Sequence, residues 1–189
     1  MRMFKTALLG AMAAVSLGVA GTASAQMSGD HTVMVGGAAM YPSKNIIENA
    51  VNSKDHTTLV TAVKAAGLVD TLSGPGPFTV FAPTNEAFAK LPAGTVDSLL
   101  KPENKPALVN ILTYHVVAGR MTASDIRSAI HAGGGRATLT TVEGEPLTAT
   151  MKNGRLVLID VKGGMAWVTI PNVMQSNGVI HVVNAVLMP

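Results

Sequence analysis

The 189-residue chain contains no cysteine. That absence excludes disulfides, thiolate metal sites, a cysteine nucleophile and a lipid anchor through a mature N-terminal cysteine. Small exported domains usually lean on disulfides; this one must be held by burial alone, which roughly 150 residues can supply. There is no dense cluster of Lys and Arg, so nucleic-acid binding has no electrostatic footprint. No apolar run reaches the ~20 residues that a spanning helix needs. A G-x-S-x-G elbow is absent, as are H-E-x-x-H and any i, i+4 pairing among the five histidines. Gly133-Gly134-Gly135 and Gly163-Gly164 are not followed by Lys-Ser/Thr and do not match G-x-G-x-x-G, so they read as turns rather than phosphate loops.

What is present begins with an address. Arg2 and Lys5 open the chain, an apolar run follows from Ala7 to Ala20, and Ala23-Ser24-Ala25 is a small-residue cleavage site. These are the three zones of a secretory signal, with Gln26 expected as the mature N-terminus. The 14 basic residues against 11 acidic ones become 12 against 11 once Arg2 and Lys5 are removed, so the mature protein is near neutral. About 160 residues remain, the usual span of one domain with one core. The expectation is a soluble domain in the periplasm or outside the cell, with no membrane span after cleavage.

Residues 26–42 are rich in Gly, Met and Ala with weak periodicity, and read as a flexible lead-in to a domain over residues 43–189. Ile46, Ile47, Ala50 and Val51 then fall on one helical face, as do Leu59, Val60 and Val63 in a second segment that Gly67 can end. Asp55, Thr57 and Thr58 are candidate caps for that segment. Phe78 to Phe81 forms a strand between Gly74-Pro75-Gly76-Pro77 and Pro83. Thr84 caps a helix from Asn85 to Lys90, with Glu86 in its first turn. A further helix covers Pro102 to Leu112, followed by an extended Tyr114 to Val117. Thr122 and Asp125 make a capping box before a helix through Ile126 to Ile130.

After the glycine triplet the pattern changes to strands: Arg136 to Val142, Pro146 to Met151, Arg155 to Val161, Ala166 to Ile170 and Gly178 to Met188. Asn153-Gly154 is a type I′ hairpin signal between two of them. In the last strand Val179, His181 and Val183 share one face and Ile180, Val182 and Asn184 the other; with both largely apolar, it is a central strand. Helices concentrated in the first half and strands in the second predict an α+β fold with a largely antiparallel core.

Three blocks carry a resemblance. Phe78 to Phe88, FTVFAPTNEAF, resembles the first homology box of the fasciclin domain. Leu112 to Val117, LTYHVV, resembles its central tyrosine–histidine motif, and Asn177 to Leu187, NGVIHVVNAVL, its C-terminal box. The likeness runs from about Ser43 to Pro189. It implies a wedge of two packed β-sheets with helices around it, and an extracellular or cell-surface module that mediates adhesion and protein interaction. It also implies a binding role for Tyr114 and His115. In some animal members a Pro-Asp pair before the last box supplies an acidic adhesion element. The matching stretch here, Ile170 to Met174, has Asn172 in place of the acid, so it lacks a carboxylate for a metal-bound, integrin-type receptor. Asn172 and Met174 are kept as candidate binding residues.

The residues themselves argue mainly for structure. Thr84 and Asn85 stop a strand and start a helix, with Asn85 able to pin a neighbouring segment through donor and acceptor. Asn177-Gly178 sets the register of the final strand. A catalytic His115 would need an orienting partner and a nucleophile within reach, yet Asp125, ten residues on, is the nearest acid in sequence. The expected role is therefore a half-buried pair: the Tyr114 ring fills core and the His115 imidazole, kept neutral by burial, bonds a backbone or amide group. His181 is expected to serve structure in the same way. No cofactor, catalytic residue or resident metal is expected; His31, Met34 and Met40 are the weak candidates for a soft ion such as Cu(I). Trp167 is a sheet-face aromatic or an interface anchor. The first functional reading is a non-enzymatic module that binds a protein or cell-surface macromolecule. The alternatives are a carrier with an apolar cavity among Phe78, Phe81, Phe88 and Trp167, and a hydrolase dependent on His115.

Overall fold

The computed structural model describes residues 32–189, so the expected leader through Ala25 lies outside the described residues. Where a loose lead-in was expected, Val33–Val35 (β1) and Ala38–Met40 (β2) pair as an antiparallel hairpin. Val35 and Met40 are buried in the main core, and that burial is what orders a segment of such weak periodicity. Helix α1 (Ile46–Ala50) starts at a reciprocal cap: Asn45 Oδ1 accepts from Glu48 N and Glu48 Oε2 accepts from Asn45 N. Helix α2 (Thr57–Ala66) buries Leu59, Ala62, Val63 and Ala66 on one stripe and stops at Gly67, whose φ of 75° suits a residue without Cβ. None of Asp55, Thr57 and Thr58 caps α2; His56 holds that position without a side-chain bond.

Helix α3 (Val69–Ser73) leads into strand β3 (Phe78–Pro83), after which Thr84 Oγ1 accepts from Ala87 N and caps α4 (Asn85–Ala89), as expected. A short α5 (Thr95–Leu99), which the sequence pattern did not signal, precedes α6 (Lys105–Tyr114). Tyr114 is thus the last residue of a helix and not part of an extended run; strand β4 begins only at Val116 and ends at Ala118. The Thr122–Asp125 capping box starts α7 (Ala123–Ala132). Strands β5 (Arg136–Thr140), β6 (Pro146–Lys152), β7 (Arg155–Ile159), β8 (Met165–Gln175) and β9 (Gly178–Val183) complete the chain. Asn153 and Gly154 both have positive φ in the β6–β7 turn.

The seven strands from β3 onward lie in the order β4-β3-β9-β8-β7-β6-β5. All neighbours are antiparallel except β3 and β9. Strand β8 joins two halves: Met165 to Trp167 pair with β7, and Val168 to Gln175 pair with β9 through two register shifts around Ile170. Expecting this strand to stop at Ile170 was wrong because Pro171 and Asn172 sit in the irregular stretch, where a missing N–H and a positive φ are tolerated. The ends of the order also meet. Val142 N donates to Val116 O at 2.7 Å and Val117 bridges Thr141, so the two halves close on each other as a wedge.

Strand alternation sends side chains into two cores. Val80, Ala82, Ile180 and Val182 face the helices and the hairpin, while Phe81 and Val183 face the space between the sheet halves, which Ile126, Ile130, Leu147, Leu156 and Leu158 fill. Strand β9 is buried at every position, the mark of a central strand. Burial and not ion pairing holds this cysteine-free fold: the one salt bridge among the described residues, Lys101–Glu103, is exposed and 3.9 Å long.

Candidate functional site

The tyrosine–histidine pair lies where α6 ends against the second core. Tyr114 is fully buried; its hydroxyl donates to Pro146 O at 3.0 Å and accepts from Val161 N at 3.3 Å, tying α6 to β6 and to the end of β7. Burial pushes the phenol above its ordinary pKa, with the Val161 N–H opposing and Asp160, Glu145 and Glu143 adding smaller contributions in the same direction. His115 caps the helix. Its Nδ1 sits 2.7 Å from Ile111 O and must carry the hydrogen, because a carbonyl only accepts; Nε2 accepts from Leu187 N at 3.0 Å. Burial lowers its pKa to about 4 against the weaker pull of the Ile111 carbonyl and Asp160. Both ring nitrogens are therefore spent within the protein on a neutral imidazole. A group in that state can neither take a proton from a substrate nor deliver one.

The other motif residues are also joints. Asn85 Oδ1 accepts from Thr58 N at 3.0 Å while its Nδ2 donates to Lys54 O at 2.8 Å, fastening α4 to the start of α2. Asn177 accepts from Ile46 N at 3.1 Å and donates to Leu72 O and Gly74 O, both at 2.8 Å. One amide thus anchors α1 and the end of α3 to the β8–β9 turn. Gly178 beside it leaves no room for a side chain, since a Cβ there would stand 2.2 Å from Phe78 O. His181 stacks on Phe81 with ring centroids 5.6 Å apart, and its Nε2 donates to Met121 O at 2.8 Å. Its Nδ1 accepts from Asn172 N at 3.3 Å, and burial lowers its pKa.

Asn172 is exposed with a φ of 59°, a conformation its short side chain tolerates. Its Oδ1 accepts from Ala123 N at 2.7 Å and so steadies the start of α7. Met174 is half-buried two residues on. The structure therefore separates the candidates: Tyr114 and His115 are inside, and Asn172 and Met174 reach the surface.

Several polar joints carry no sequence signal of their own. Asp160 accepts from Lys162 N, Gly164 N and Met188 N, drawing the C-terminal tail onto the β7–β8 turn. Asn49 donates to Gln175 Oε1 and to Tyr41 O. Thr79 donates to Gly119 O and accepts from Met121 N. Each lies inside an ordinary-looking apolar stretch, and only tertiary pairing reveals its use. Other expected groupings do not form. Phe81 faces one core and Phe88 the other, Phe78 packs at the margin of the Phe88 core, and Trp167 belongs to neither, so the four aromatics enclose no shared cavity. Met34 is exposed and Met40 buried, so they lie on opposite faces of the hairpin, and His31 is outside the described residues.

A fasciclin domain profile matches residues 54–189. The chain belongs to the fasciclin domain family. Protein sll1483 of Synechocystis is 46% identical over 180 residues, covering 95% of this chain and 93% of that one. Immunogenic protein MPB70 of Mycobacterium bovis is 38% identical over 145 residues, covering 74% of this chain and 66% of that one. The FAS1 domain pair of the insect cell adhesion molecule Fasciclin I has the same fold, with a TM-score of 0.69 at 20% identity over 79% of this chain and 52% of that one. The three fasciclin boxes are now seen as three sides of one scaffold. The first supplies β3 and the α4 cap, the second the α6–β4 corner, and the third the central strand.

Proposed function

We propose that this fasciclin domain is an exported, non-enzymatic module whose exterior binds a protein or other cell-surface macromolecule at the envelope or outside the cell. The observation that carries the reading is the use of His115: both nitrogens are bonded to backbone in a closed interior, which leaves the central motif no chemistry to offer. Relatives support the location and the role. One mycobacterial protein, 34% identical over 184 residues, is a cell surface glycolipoprotein, MPB83, and the insect Fasciclin I is a cell adhesion molecule. None of the described helices is long and apolar enough to cross a membrane.

In this reading Tyr114 and His115 set the shape of the α6–β4 corner and contribute to recognition through it. The surface that includes Asn172 and Met174 makes direct contact, with the Asn172 Nδ2 group making no hydrogen bond among the described residues while Oδ1 holds α7. A single domain with one such surface binds weakly unless displayed in many copies. The test is capture from envelope extracts by the immobilised full chain, with Tyr114→Phe and Met174→Glu variants shown to be folded by circular dichroism. The expected result is retention of partners by Tyr114→Phe and their loss with Met174→Glu. Turnover of ester or glycoside substrates that disappears in a folded His115 variant would overturn the reading.

A further inference from the structure

The sheet face that carries Val80, Ala82 and Ile180 does not close completely on the elements above it. Between that face, the β1–β2 hairpin, α1 and α2 lies an apolar cavity of about 40 Å³, whose walls include Met40, Ile47, Val60 and Val63. One ionisable side chain reaches it. His56 is 3% exposed, lines the cavity, and has a buried Nε2 with no hydrogen-bond partner among the described residues. Its Nδ1 lies 2.9 Å from Ser53 Oγ. Ser53 is itself buried, and Nδ1 is the sole acceptor its hydroxyl finds among the described residues. The hydroxyl hydrogen therefore points to Nδ1, and the ring's own hydrogen sits on Nε2 as an unspent donor. Burial keeps the ring neutral, against the weaker pull of the Ala82 carbonyl and Asp55; that carbonyl does not reach hydrogen-bond geometry with Nε2.

A buried donor without a partner is costly, so the surroundings should say what satisfies it. Water fits poorly. The space exceeds the ~10–15 Å³ one water needs, yet an ordered water wants two to four polar partners, and here it would find Nε2 and at best the Ala82 carbonyl, the bare minimum, in a wall otherwise of hydrocarbon. A carboxylate fits poorly too, because it would bring a charge into that wall with nothing to pair it. A neutral oxygen on an apolar molecule fits on both counts. By the same scaling the cavity takes on the order of three or four non-hydrogen atoms, the head of a longer molecule and no more. The half-buried Ile47 and Val60 mark where a tail can leave between α1 and α2. The roof is fixed to the donor: Gly36 of the hairpin turn accepts from Lys54 N, and a Cβ there would stand 2.4 Å from Ser53 Oγ.

We propose that this cavity binds the carbonyl or hydroxyl end of an apolar chain molecule, with His56 Nε2–H as the donor and Ser53 fixing its tautomer. The site lies inside the helical side of the domain and is independent of recognition by the exterior.

The test uses the full chain with ¹⁵N-labelled histidine, titrated with 2-heptanone and separately with heptanoate. The expected result is a His56 Nε2–H signal that shifts and saturates at one ketone per chain, with heptanoate at least tenfold weaker. His56→Leu stays close to the imidazole in volume and removes the donor, and should weaken the ketone about tenfold, the ratio set by one hydrogen bond. Should that variant not fold, Val60→Trp at the half-buried exit keeps the question open to measurement, since it should block the ketone without touching His56. The proposal is overturned if saturating ketone leaves the His56 signal unmoved, the donor being held by water alone. It is equally overturned if Val60→Trp, or a folded His56→Leu, binds ketone as well as the parent chain.

Discussion

Replacing His115 with alanine probes the interior role of the central motif in two ways at once. The ring bonds Ile111 O and Leu187 N, and Leu187 is fully buried. Truncation leaves the Leu187 N–H without a partner, which costs about 1–3 kcal/mol. The emptied ring volume adds a cavity, and comparable losses of large buried side chains cost about 2–4 kcal/mol. Because the two effects overlap, the expected destabilisation at pH 7.5 is roughly 4 kcal/mol. At about 2–4 °C per kcal/mol for a domain of this length, the melting temperature followed by circular dichroism should fall by roughly 8–16 °C.

The pH dependence sharpens the test. His115 titrates near 6.5 in the unfolded chain but at about 4 in the folded one. Its neutral burial therefore contributes fully above pH 6.5, and the contribution is lost as pH falls from 6.5 towards 4, where only the unfolded state takes up the proton. That gap corresponds to about 3 kcal/mol. The alanine variant has no such loss to suffer, so its deficit should shrink to about 1–2 kcal/mol at pH 4.5. A variant within about 0.5 kcal/mol of the parent, the range of an exposed substitution, would refute the structural assignment. So would a deficit that does not change with pH.

Asn177→Ala severs α1 and α3 from the β8–β9 turn, and urea unfolding should show a loss of about 2–4 kcal/mol. Gly178→Ala places a methyl against the Phe78 carbonyl at 2.2 Å, so the parallel β3–β9 pairing must shift, and the yield of folded protein should collapse. Tyr114→Phe leaves the Val161 N–H without its acceptor and should cost about 1–2 kcal/mol in the same urea assay. Mass spectrometry of the exported protein should find Gln26 at the N-terminus; an intact leader would contradict the reading of Ala23-Ser24-Ala25.

Much of the scaffold was readable because local chemistry and tertiary structure agree at those points. Thr84, the Thr122–Asp125 box, Gly67 and Asn153-Gly154 act through bonds or φ values within a few residues of themselves, and a linear pattern records such effects directly. The same holds for β9, whose two apolar faces announce a strand between two cores. Failures occurred where distant partners decide. The β1–β2 hairpin is ordered by burying Val35 and Met40 in a core shared with Val80, Val173 and Ile180 of strands far along the chain. Tyr114 ends α6 with its hydroxyl bonded to partners 32 and 47 residues on, in β6 and just past β7. Pro171 and Asn172 read as a strand end, yet β9 carries the pairing across a bulge. Within the candidate site, the interior use of His115 and His181 was legible from their apolar neighbours, while Asp160, Asn49, Gln175 and Thr79 gain their roles only through partners 2 to 126 residues away. His56 was not distinguished from the other histidines, since an unspent nitrogen has no signature in sequence.

The most direct measurement is a pH titration of the ¹⁵N-labelled histidine side chains in the folded protein. His115 is expected as the Nδ1–H tautomer, protected from solvent, and neutral down to about pH 4. A His115 signal that titrates near 6.5 and exchanges freely with water would contradict it, and would return the central motif to the surface as a group able to do chemistry.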